Sequence, residues 1–133
     1  MCIYRRVEVI NIYKCLCDEQ RLRILNLLKD GPLCVCHLME ILDSDQVKIS
    51  KQLRYMKDLG MIEGERVAQW MVYRIAETKN PLLEENLKCL QDSAGESLGF
   101  SSDTQLRKAL LTKLESEPNA CASTILPFLQ QTS

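Results

Sequence analysis

The stretches "LCVCHLMEIL" and "QVKISKQLRYMKDLG" both carry apolar residues at helical spacing, and only Asp43, Ser44 and Asp45 separate them. That connection constrains the chain more than any other feature. Three polar residues with capping chemistry join the two helices by the short turn that a helix-turn-helix requires. In the second helix Ile49, Leu53 and Met56 fall at i, i+4 and i+7, an inward stripe, and Gly60 closes it as a C-cap. "MIEGERVAQWMVYRIA" then changes period, giving two strand-like runs around a turn near Val67 to Gln69.

Upstream, residues 3–16 read as a first helix with Ile3, Val7, Ile10 and Tyr13 on its apolar face. Asp18 is an N-cap for "EQRLRILNLLKD", and Pro32 suits the first turn of the helix over 33–42. Downstream, "NPLLEENLKCLQDSA" is amphipathic, "AGESLGFSSD" reads as a mobile connector, and "TQLRKALLTKL" is a last helix before a loose tail. The order predicts a mainly α protein with a two-stranded hairpin, a winged helix-turn-helix. Residues 1–95 form the DNA-binding and dimerisation domain, and 96–133 a C-terminal helix with a mobile tail.

Net charge is −1, which alone argues against a general nucleic-acid binder, but its distribution says otherwise. Lys48, Lys51, Arg54 and Lys57 lie in one helix with no acid among them, whereas the C-terminal third is acidic. Lys48, Lys51, Gln52 and Tyr55 fall at i, i+3, i+4 and i+7 and make an outward stripe that fits a DNA major groove. There lysine reaches guanine or phosphate and glutamine pairs with adenine. Ser50 and Arg54 flank the stripe and suit phosphates, Gln46 opens the same surface, and Arg66 near the wing tip is a backbone or minor-groove contact. Homodimerisation through the first helix and residues 81–93 would pair two such readers, using Val7, Ile10, Leu82, Leu87 and Leu90.

No apolar run approaches the roughly 18 residues that span a bilayer, and charges interrupt the N-terminal apolar stretch, so a cytoplasmic protein with no membrane partner is expected. Seven cysteines in a reducing compartment read as metal or redox chemistry rather than staples. His37 is the single histidine and reads as a polar surface residue. No Ser/His/Asp set, Cys/His pair or Gly-rich phosphate loop points to an enzyme or to an organic cofactor.

Together "KCLCDEQRLRILNLL", "PLCVCHLMEILD", "QVKISKQL" and "AQWMVYRI" resemble the ArsR/SmtB family of metal-responsive repressors, and within it the arsenic-sensing branch, over Tyr13 to Ile75. The resemblance implies a homodimeric repressor of operator DNA whose thiolates bind trivalent arsenic or antimony as inducer. The family's motif is Cys-Val-Cys-x-x-Cys; here Cys34 and Cys36 supply the first two positions and Met39 stands at the third. Trivalent arsenic prefers three thiolates, and a thioether is an uncharged, weaker donor. Either one of Cys2, Cys15, Cys17, Cys89 and Cys121 supplies a third ligand, or two thiolates suffice, or the ion is a different one.

On a regular helix Cys34 and Cys36 would point about 200° apart, so sharing an ion is expected to unwind the first turn of the helix that supports the reading helix. A helix N-terminus also favours thiolate over thiol. Two other readings stay open on the residues alone. One is a thiol redox sensor using Cys34, Cys36 or the Cys15/Cys17 pair. The other is a winged-helix protein-interaction module, which has no use for groove-facing lysines.

Overall fold

The computed structural model describes residues 6–76 and 81–116 of the 133-residue chain. Its elements run α1 (Arg6–Leu16), α2 (Glu19–Lys29), β1 (Leu33–Cys34), α3 (Val35–Leu42), α4 (Gln46–Asp58), β2 (Ile62–Val67), β3 (Trp70–Ile75), α5 (Pro81–Ala94) and α6 (Phe100–Ser116). It is the predicted winged helix-turn-helix. The first turn of α4 is capped by Asp45, whose Oδ1 accepts from the Lys48 N–H at 2.8 Å. Asp43, in the left-handed region at φ 49°, ends α3 and turns the chain. At the other end of α4 the Gly60 N–H reaches the Lys57 carbonyl and the Met61 N–H the Met56 carbonyl. This paired closure needs a residue at positive φ, and Gly60 adopts 80° without a side chain to clash.

The wing is a three-stranded antiparallel sheet in the order β1-β3-β2, not a lone hairpin. Val67 pairs with Trp70 across a two-residue loop, Ala68-Gln69, inside the expected turn. Leu33 and Cys34, expected to open a helix, instead pair with Tyr73 and Val72. A two-residue strand has no periodicity to read, and it exists only because β3 offers an edge.

The core is built from Leu25 and Leu28 of α2, Leu38 of α3, Ile49, Leu53 and Met56 of α4, and Ile62 of β2, all essentially sealed from water. The inward face of α1 is Ile12 and Cys15; Ile10 and Tyr13, expected on its apolar face, are each 49% exposed. On α5 Leu83 and Leu87 are buried, so Leu87 is a core residue rather than the interface residue expected. Ile3 and the tail after Ser116 lie outside the described residues.

The supposed mobile connector is instead a tight turn at 95–99, and α6 begins at Phe100, four residues before the predicted start. Its buried face is Phe100, Asp103, Arg107 and Leu110. Asp103, 1% exposed, takes two hydrogen bonds from Arg23 of α2, at 2.8 and 2.9 Å. The Arg23 guanidinium is raised above its usual range chiefly by that bond. Such a bidentate, charge-assisted pair fixes the helix in angle as well as distance. Asp103→Ala is expected to lower unfolding free energy by about 2 kcal/mol, since it removes a hydrogen bond to a charged group at a buried site, as read in urea melts.

Candidate metal centre and nucleic-acid interface

Because β1 ends at Cys34, that residue is the N-cap of α3 rather than part of it, with φ −80° and ψ 155°. The extended backbone removes the 200° separation that a helix would impose. Cys34, Cys36 and His37 therefore offer two sulfurs and a ring nitrogen that all lie within 4.8 Å of one another. The helix need not unwind to bring the thiols together.

Cys34 is buried beneath Val67 and Val72 of the wing and Leu111 and Leu114 of α6, while Cys36 is exposed. The Cys34 thiol titrates near 7 instead of 9.0, because the Cys36 side chain and the N–H groups of Cys36 and Val35 hydrogen-bond to its sulfur, outweighing burial. These amides belong to the first turn of α3, where N–H groups have no intrahelical acceptor and favour an anion.

His37 is buried at 4% exposure, correcting its reading as a surface residue. Its Nδ1 accepts from the Cys34 N–H at 3.4 Å. Burial, with the Arg107 guanidinium nearby, pushes the imidazole down to about 4, so near neutrality it is an uncharged donor. Arg107, 3% exposed on α6, reaches the Pro32 carbonyl at 3.5 Å. Two clues to His37 lay in the sequence. It is the one histidine, and it sits three residues after Cys34, the N-cap-to-N3 spacing of a capping box.

Of the other candidate ligands, Cys15 is buried in the core and pushed up to about 11 by burial. Cys17 and Cys89 are exposed. None of the three joins the cluster. Met39 packs against the main core, and Cys2 and Cys121 lie outside the described residues.

On α4, Gln46, Lys48, Ser50, Lys51, Arg54 and Tyr55 all face solvent, as does Arg66 on the wing. Arg74 is drawn instead into a cross-strand ion pair with Glu65. Gln52 departs from the outward stripe. Its Nε2 donates to Asp18 Oδ2 at 2.9 Å, and its Oε1 accepts from Arg21 Nη1 at 3.0 Å. The same Asp18 oxygen caps α2 through the Arg21 N–H at 3.1 Å. Arg21 also donates to the Lys14 and Cys15 carbonyls at the end of α1, at 3.0 and 3.1 Å, and lies 4.6 Å over the Tyr55 ring. Asp18 and Arg21 thus tie α1, α2 and α4 together. The sequence alone gives Asp18 only its capping role and Arg21 none.

The two thiols carry opposite pH signatures. Cys34 titrates below its unfolded value, so it stabilises the fold above pH 9 and loses that contribution as pH falls through about 7. Cys15 is raised, so its contribution is full below pH 9 and is lost as pH rises through about 11. Thiolate absorbance of the native protein is expected to show a step near pH 7 that Cys34→Ser abolishes. The same variant should remove the gain in urea resistance that this thiol contributes between pH 7 and 9.

Comparison with known proteins agrees with this architecture. The family model described as bacterial regulatory protein, arsR family, matches residues 18–63, which carry α2, α3 and α4. An arsenic resistance transcriptional regulator of Pseudomonas putida is 34% identical over 112 residues, covering 84% of this chain and 85% of that one. A cadmium resistance transcriptional regulatory protein of Listeria innocua is 32% identical over 73 residues, 54% of this chain and 61% of its own. The solution structure of a homodimeric winged helix-turn-helix DNA-binding domain from Mycobacterium bovis superposes with a TM-score of 0.57 at 25% identity, covering 74% of this chain and 94% of that domain. With these relatives and this fold, the chain belongs to the arsR family of bacterial regulatory proteins.

Proposed function

We propose that this chain is a homodimeric transcriptional repressor that holds operator DNA through α4 and the wing and lets go when trivalent arsenic or antimony binds Cys34 and Cys36. The observation that carries this reading is the position of the two thiols on two different elements that meet at the start of α3. Cys34 belongs to the wing's sheet through its pairing with Val72, and Cys36 to the first turn of α3, the helix packed against α4. A shared ion would couple a shift of the wing to a shift of the reading helix. DNA and inducer then oppose each other reciprocally, as linkage requires. The name of the Pseudomonas putida relative supports arsenic as the inducer.

Lys48, Lys51, Ser50 and Arg54 are assigned to phosphates and base edges, with Gln46, Tyr55 and Arg66 at the margins. Gln52 is assigned to holding α4 on α2, since both ends of its amide are engaged. The second copy docks on α1, where Ile10 and Tyr13 present an apolar face that is half exposed among the described residues. Residues 1–95 carry reading and pairing, while α6 covers the sensor.

A soft divalent ion is the second reading. It is favoured by the imidazole beside the thiols and by the cadmium-named relative.

The test is a mobility-shift titration on the chain's own promoter fragment with arsenite, antimonite and cadmium. Arsenite and antimonite are expected to release the DNA. Cys34→Ser and Cys36→Ser should bind it normally and stay bound at inducer concentrations that free the wild type. Cadmium alone acting would favour the second reading. Lys51→Glu, or Lys48→Ala with Arg54→Ala, should abolish specific binding with the fold intact. Removing one phosphate-binding charge should lower the salt slope by about one unit. Unchanged affinity and slope would refute the assignment of the reading face.

A further inference from the structure

The three donors at the sensor leave a chemical question that Met39 does not answer, since its side chain packs into the main core. Among the described residues no fourth His, Cys, Asp or Glu joins Cys34, Cys36 and His37. A closed tetrahedral site would take four protein donors, one more than this set offers.

Charge narrows the choice. The Arg107 guanidinium is a buried cation 3.5 Å from the Pro32 carbonyl, at the entry to the strand that carries Cys34. A trivalent centre held by two thiolates and a neutral imidazole would keep one positive charge beside that guanidinium. Near a buried guanidinium such a charge is costly. Two thiolates and one hydroxide make a neutral complex instead. The hydroxide also has a partner within reach. His37 Nδ1 accepts from the Cys34 N–H at 3.4 Å, the long end of hydrogen bonding, so its lone pair is only weakly engaged.

Building on the arsenic reading above, we propose that Cys34 and Cys36 bind trivalent arsenic as a dithiolate that keeps one hydroxide, and that His37 is the positioning residue accepting a hydrogen bond from it. The step balances. Arsenious acid carries three hydroxides; each thiol forms one sulfur–arsenic bond and gives its proton to a departing hydroxide, so two waters leave. The third hydroxide stays, arsenic remains trivalent, and nothing is oxidised or reduced. A two-cysteine chain thereby completes a three-coordinate centre without a third thiol.

X-ray absorption at the arsenic edge, on the full chain loaded with arsenite, tests this directly. Two sulfur neighbours and one oxygen are expected. His37→Leu, which fills the space without an acceptor, should keep that coordination yet weaken arsenite binding about tenfold, as loss of an orienting partner does. His37→Asn, which offers an oxygen in place of Nδ1, should recover part of the loss. Binding is read from thiolate–arsenic absorbance. Three sulfurs in the wild type would overturn the inference and leave the arsenic reading standing. So would a light neighbour that disappears in His37→Leu, which would mean direct nitrogen ligation, or an affinity untouched by that substitution. Absence of any arsenic–sulfur signal would instead overturn the functional reading itself.

Discussion

The pairing of Leu33 and Cys34 with Tyr73 and Val72 is two residues long, and the geometry of the Cys34, Cys36 and His37 cluster depends on it. It holds Cys34 in extended backbone at the threshold of α3, where helix amides point at the sulfur and the next thiol is within reach. It also makes the wing and the start of α3 one piece. Had residues 33–34 been helical, the two sulfurs would face apart, and any shared ion would first have to break a helical turn. As folded, the pair is poised, and mechanical consequences fall on packing between elements rather than on the helix ladder.

That packing is tight on the reading side as well. Asp18 accepts from both the α2 backbone and Gln52, and Arg21 joins Gln52, Tyr55 and the last carbonyls of α1. The reading helix is therefore held at its middle by side chains from the segment that precedes it. Since α1 also presents Ile10 and Tyr13 outward, the network links the proposed pairing face to the angle of α4. Half-site spacing depends on that angle.

Much of the frame was legible because local rules and the final packing agree there. The Ile49, Leu53, Met56 stripe is buried, Asp45 and Gly60 close α4 at the expected places, and the wing turns within the expected residues. What escaped was set by partners distant in sequence. β1 needs the edge of β3. The inward face of α1 is Ile12 and Cys15 because α2 covers that side, while an apolar face counted without a partner pointed to Ile10 and Tyr13. Two of the four buried residues of α6 are charged, Asp103 and Arg107, so no hydrophobic period marks the helix's inner face. Asp103 is matched by Arg23, eighty positions earlier, and no local pattern contains such a pair. At the sensor the spacing of Cys34 and Cys36 was visible, but reading them on one helix gave the wrong directions.

The same charged face brings α6 against the thiol cluster. At its start Asp103 is locked to Arg23; midway Arg107 reaches Pro32, the residue before β1; at its end Leu111 and Leu114 lie with Trp70 over Cys34. One rigid helix thus touches the body, the entry to β1 and the lid of the buried thiol. Burying Arg107 costs free energy, since desolvation pulls its guanidinium below its ordinary range. An apolar residue would close the same space without that penalty. On the proposed reading, a fixed cation at the Pro32 carbonyl does something an apolar residue does not: it bears on the charge that the site tolerates. On that reading, selectivity then resides partly outside the ligands, in a helix beyond residues 18–63 that the family model matches.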